Sequence, residues 1–148
     1  MKHGITGIEA LELYLKPKEV LQEKWEVVYK EIEKCLDTLS DDEIANQSHK
    51  ATIHYYVNSR YIHVFVKRAF TTDVILLYSK LSNYENQECP LVLMGVLNEH
   101  GKTATPIIME LLVLLKHNFP KGTSVKGYIH PDEVKNAYYR LKMRGHKI

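Results

Sequence analysis

Apolar and polar residues alternate from Ala10 to Leu15 (ALELYL), the two-residue period of a half-buried strand, and Pro17 ends the run. The period then changes. From Lys18 to Leu39 the apolar residues Leu21, Trp25, Val28, Ile32, Cys35 and Leu39 recur at steps of four, three, four, three and four, which predicts a helix with one continuous apolar face. Its other face is Lys and Glu, and Glu26 with Lys30 forms a well-oriented pair worth about 0.3 kcal/mol. Ser40-Asp41-Asp42-Glu43 predicts a cap opening a short second helix to about His49.

Two β-branched and aromatic runs, Ala51 to Val57 and Tyr61 to Arg68, flank Asn58-Ser59-Arg60 and predict a hairpin. Its first strand carries His54 and Tyr56 on one face and Ile53, Tyr55 and Val57 on the other. Thr71-Thr72-Asp73 punctuates the chain before Val74 to Leu81, a run that fits a strand or a helix, and Tyr84 to Glu88 reads as a polar loop. Pro90 to Leu97 (PLVLMGVL) is too short for a helix and predicts a strand. Pro106 to Phe119 (PIIMELLVLLKHNF) is long enough for a buried helix. Ser124 to His130 predicts another strand and Asp132 to His146 an amphipathic helix. The turn Asn98 to Thr105 therefore lies where a strand feeds a helix N-terminus, a junction whose exposed amides and positive dipole end suit an anionic ligand.

The whole chain, residues 1–148, has the length of one domain, enough to bury roughly 68–70% of its unfolded surface. Hydrophobic content of 45% and charged content of 26% disfavour disordered and fibrous classes. No apolar run approaches the roughly 18 residues of a membrane span, and Met1-Lys2-His3-Gly4 lacks the apolar core of a signal peptide, so a cytoplasmic chain with no membrane partner is expected. Cys35 and Cys89 have no metal-type spacing and are expected as buried, reduced thiols. Charge is uneven: residues 116–148 carry 8 basic and 2 acidic side chains although the net charge of the chain is only +2. A basic third of this kind suits a phosphate-bearing ligand or nucleic acid, although a solvated basic face is its default reading.

Gly101-Lys102-Thr103 between strand and helix invites a P-loop reading, but the preceding glycine would have to be residue 96, which is Val96, and Gly95 is one place too early. No apolar strand ends in an Asp placed to hold magnesium, so nucleotide hydrolysis is disfavoured. His54, His63 and His130 are too loosely spaced for a metal site. Tyr55, Tyr56 and Tyr61 could stack bases, but aromatic residues also favour strands for packing reasons.

The turn His100-Gly101-Lys102-Thr103-Ala104-Thr105, the Ser124 to His130 strand and the helix carrying Ala137, Leu141 and Gly145-His146 resemble the C-terminal half of the GNAT family of acyl-CoA-dependent N-acetyltransferases. The order of the earlier elements is similar too. The resemblance implies that the Pro90–Leu97 and Ser124–His130 strands splay apart. It implies further that Val96, Leu97 and Asn98 offer backbone to the pantetheine arm of acetyl-CoA or another acyl-CoA, and that His100, Gly101, Lys102, Thr103 and Ala104 cradle its pyrophosphate. Glu99 or His54 would serve as general base. Leu141 stands at the place of the family's tyrosine general acid, with Tyr138 and Tyr139 nearby, and Thr103 at that of the second glycine. The expected fold is α/β or α+β, a mixed and mostly antiparallel sheet with helices on both faces. The expected activity is N-acylation of an amine whose identity the sequence does not reveal. Two other classes compete. One is a GNAT-like module without catalysis that serves an assembly or a virus particle, and the other is a small nucleic-acid-binding protein.

Overall fold

A computed structural model describes residues 9–37, 52–67, 71–84, 86–103 and 105–148. In chain order these form β1 (Ala10–Leu15), α1 (Gln22–Asp37), β2 (Thr52–Val57), β3 (Tyr61–Lys67), β4 (Thr72–Tyr78), β5 (Leu91–Val96), α2 (Pro106–Asn118), β6 (Thr123–Lys126) and α3 (Pro131–Met143). Single turns of 3-10 helix at Pro17–Glu19 and Leu81–Tyr84 link some of them. The six strands form one sheet in the order β2-β3-β4-β5-β1-β6, and every pairing is antiparallel. The fold is α+β, as the sequence pattern leads one to expect.

Most element boundaries follow that pattern closely, but the strand expected over Ser124–His130 spans only Thr123–Lys126 and stops before Gly127, whose φ of +110° leaves the extended conformation. The ambiguous Val74 to Leu81 run resolves as strand β4 followed by a tight turn. Its alternation puts Asp73, Ile75 and Leu77 on the buried side opposite Val66, Val64 and Ile62. Helix α1 starts later than the periodicity implies. Leu21 precedes it and is 76% exposed, because Pro17 draws the chain into a 3-10 turn, and the buried stripe runs instead through Trp25, Val28, Tyr29, Ile32, Cys35 and Leu36. The expected cap at Ser40 and the short helix after it lie outside the described residues.

Two finer expectations change. The β5 and β6 strands do not splay from one another, because β1 lies between them and pairs with both: Leu13 faces Leu93 on one side and Val125 on the other. Nor do the described helices cover both faces. Leu11, Leu13, Leu15, Ile62, Ile75, Leu77 and Leu93 point to one side of the sheet, and the helices α1 and α2 share a single core with them. A Cβ at Gly95 would fall 2.6 Å from Ile108 Cγ2, so glycine lets α2 lie directly on β5. Helix α3 stacks outside α2, which explains why α2 is buried all round from Ile107 to Leu115. A helix apolar on every side needs cover on every side, and the sheet, α1 and α3 together supply it. The opposite sheet face carries half-buried His54, His63, Phe65, Val74, Leu76 and Met94 with no described helix over it.

Candidate functional site

The chain does not pass straight from β5 into α2. Leu97 bridges to Thr103 and closes a tight hairpin whose tip is Asn98 to Lys102. Asn98 organises it. Its N–H donates to the Lys102 carbonyl at 2.8 Å, its carbonyl accepts from the Gly101 N–H at 3.0 Å, and its Oδ1 accepts from the N–H groups of His100 and Lys102 at 2.8 and 3.1 Å. Gly101 sits at φ +75°, the left-handed conformation that such a turn needs and that glycine adopts without strain. The ring of Tyr128 packs 3.1 Å from where a Cβ at Gly101 would stand.

Four of the five backbone donors expected to cradle pyrophosphate thus already have acceptors within the chain. The N–H groups of His100, Gly101 and Lys102 serve Asn98, and that of Thr103 donates to both carboxylate oxygens of Glu133, at 3.0 and 3.1 Å. The Thr103 hydroxyl donates to Glu133 Oε2 as well. Of the residues expected along a pantetheine arm, Val96 donates its N–H to Asp73 Oδ1 at 2.9 Å, Leu97 donates to the Glu9 carbonyl at 2.9 Å, and Asn98 is spent in the turn. Ala104 lies outside the described residues.

The start of α2 is served in the same way. Thr105 occupies the cap position and Pro106 the first turn, as the sequence implies, but the Thr105 hydroxyl makes no cap bond and donates instead to Asp73 Oδ2 at 2.6 Å. Asp73 is 1% exposed. Buried carboxylates must be bonded or paired, and here Asp73 and Glu133 take donors on the two sides of the junction that a ligand anion would otherwise use.

The residues expected to carry acid–base chemistry are scattered. Glu99 is at the exposed hairpin tip beside His100, 3.5 Å away. His54 is on the far side of the sheet, stacked on Phe65 with ring centroids 4.4 Å apart. Tyr138 stands edge-on to His117 at 6.2 Å, and Tyr139 points into solvent. Among the described residues no hydrogen bond joins any two of Glu99, His54, Tyr138 and Tyr139. Leu141, at the place of the family's tyrosine, is fully buried against α2, so a hydroxyl there would face the core.

A cluster that the sequence reading overlooked lies between α1, α2 and α3. Glu110, in the middle of apolar α2 and 1% exposed, accepts from Arg140 Nε at 2.8 Å and from Arg144 Nη1. Its signal was present in the sequence: one acid inside an apolar helix, and two arginines four apart at the C-terminal end of another helix, Arg140 in its last turn and Arg144 just past it. Beside it, burial pushes the Cys35 thiol up to about 11, while Arg144 pulls it the other way. His146 Nδ1 lies 3.0 Å from Glu31 Oε1, and a cavity of about 100 Å³ opens between Glu31, Cys35, Arg144 and His146. Cys35 is buried and Cys89 is exposed, which corrects the expectation for the latter; neither forms a disulfide.

This cluster also reduces the basic surface of the C-terminal third. Arg140 and Arg144 are committed to Glu110, and Lys116 donates to the carbonyls of Pro120 and Thr123. Among the described residues no group of three or more His, Cys, Asp or Glu side chains could hold a metal ion, and no helix is long and apolar enough to cross a membrane. Comparison with known proteins found no matching family model, no matching curated protein and no matching solved structure.

Proposed function

We propose that the chain is an interaction module without catalysis, acting through the surface it presents. One observation carries this reading: the donors at the strand-to-helix junction are held by the chain's own Asn98, Glu133 and Asp73. A cofactor phosphate would have to displace two buried carboxylates, and a buried group that loses its partners costs about 1–3 kcal/mol or more when charged. The dispersal of Glu99, His54, Tyr138 and Tyr139 supports the same conclusion, since general acid–base catalysis needs the groups within hydrogen-bond reach of one reacting centre. The half-buried apolar face of the sheet, carrying Phe65, Leu76 and Met94, is the surface such a module would offer.

Acetyl-CoA, desulfo-CoA and ATP titrated by calorimetry, together with thiol release in the presence of an amine panel, test the proposal. No saturable heat and no thiol above background are expected. Saturable acetyl-CoA binding with thiol release would replace the module with an acyl-CoA-dependent N-acyltransferase. A steep salt-dependent affinity for single-stranded DNA or RNA would favour the nucleic-acid reading instead.

A further inference from the structure

The two edges of the sheet are built differently. β6 has four residues, ends on Lys126 and is followed at once by Gly127, so it is short and charged, as protected edges are. β2 has six residues, Thr-Ile-His-Tyr-Tyr-Val, with no charge, proline or glycine. Nothing in its sequence blunts it. The ladder phase shows which groups it exposes. The Asn58 N–H donates to the Tyr61 carbonyl at 3.1 Å, which makes Asn58 and Tyr61 a hydrogen-bonded pair. Stepping back by two along the register, Tyr56, His54 and Thr52 bond to His63, Phe65 and Lys67 of β3. The N–H and C=O groups of Ile53, Tyr55 and Val57 therefore point away from the sheet, and no described residue bonds them.

We propose that this edge pairs with the same edge of a second copy of the chain, antiparallel about a twofold axis at Tyr55. In that register Tyr55 meets its symmetry mate and Ile53 meets Val57 of the other copy, so all three outward-facing residues are used on both sides. Shifting the register by two residues in either direction leaves one of the three unpaired on each copy. On the uncovered face of the sheet, His54 then stands opposite Tyr56 of the other copy, an aromatic cross-strand pair with no charge repulsion. The pairing also extends the aromatic patch of His54, Phe65 and His63 across the axis, since His54 already stacks on Phe65 and His63 lies 5.1 Å from it. A second copy fits better than an unrelated strand because uncharged β2 is complementary to itself in this single, fully bonded register. The inference is independent of whether the chain is a catalyst.

Sedimentation across a range of protein concentrations, combined with hydrogen exchange, tests it. The expected result is a concentration-dependent species of twice the chain mass, with the amides of Ile53, Tyr55 and Val57 gaining protection as it forms. His54→Lys with Tyr56→Lys places added ammonium groups opposite one another across the axis on an open face. Tyr55→Pro removes the central outward donor without touching a bond to β3. Each should weaken association at least tenfold while circular dichroism stays native. A monomer at every concentration, or a dimer whose strength neither variant alters, overturns the proposal. If a variant fails to fold, exchange at these three amides that is independent of wild-type concentration overturns it as well.

Discussion

Glu133 and Thr103, thirty residues apart, are joined twice: both the backbone N–H and the hydroxyl of Thr103 donate to the Glu133 carboxylate. The link ties the first turn of α3 to the strand-to-helix junction, and α3's own positive dipole end favours the charge it buries. Replacing Glu133 with Ala leaves two buried donors without an acceptor. Stability in urea should fall by about 1–3 kcal/mol, and Glu133→Gln by less. Unchanged stability in both would mean that the junction is not held this way.

Glu110 is the only acid on α2 and neutralises two guanidinium groups that remain partly exposed, Arg140 at 34% and Arg144 at 25%. Glu110→Ala should cost about 3–5 kcal/mol, the range for a broken buried pair, because it takes the carboxylate from both guanidinium groups and Arg140 Nη2 is already buried without a hydrogen-bond partner among the described residues. Thermal or urea unfolding reads the loss. Adding Arg140→Met and Arg144→Met should recover part of it, whereas further loss would indicate that the arginines contribute independently of Glu110.

Trp25 is 1% exposed, its indole N–H donates to the Tyr78 carbonyl at 2.8 Å and its ring meets Phe119 at 5.6 Å. Trp25→Ala should cost about 3–5 kcal/mol. Trp25→Phe keeps much of the packing and should fall between the two. A tryptophan emission maximum typical of water in the native protein would contradict the burial.

Leu141→Tyr distinguishes packing from chemistry. With Leu141 wholly buried under α3, the larger phenol overpacks the interface with α2 and should cost about 1–3 kcal/mol. Acyl transfer from acetyl-CoA, followed by released thiol, should not rise. A rate gain would show that this position faces a reaction centre.

The two cysteines should behave oppositely toward an alkylating agent near pH 8. Exposed Cys89 reacts readily, and Cys35, its thiol pushed up to about 11 by burial, reacts only as the protein unfolds. Burial also raises Tyr55 to about 12 and Tyr84 higher still. For each group the folded value exceeds the ordinary one, so its contribution is fully present below the ordinary value. It is lost as pH rises toward the folded one. Stability should hold to about pH 9, the usual thiol value, and decline above it, with Cys35 the first to contribute and tyrosines following. Denaturation midpoints across that range check the sign, and a flat profile to pH 11 would refute it.

Local sequence determined the elements. The alternation in Ala10–Leu15, the stripe through Trp25, Val28, Ile32 and Cys35, and the turn residues Asn58 and Gly101 each encode a period or a dihedral that neighbours alone impose, and all of them recur in the structure. The placement of β1 between β5 and β6 could not be read, because a strand's pattern says which face it buries and nothing about which strand it meets. The same holds for the junction. Asn98, Glu99, His100 and Gly101 look like a ligand turn when only their order is known. Whether their amides remain available depends on Glu133 and Asp73, which arrive from α3 and β4 through long-range packing. Dispersed acid–base candidates and the Glu110 cluster follow the same rule: spacing along the chain decides an element's face, and only the packing of elements decides which polar groups satisfy one another.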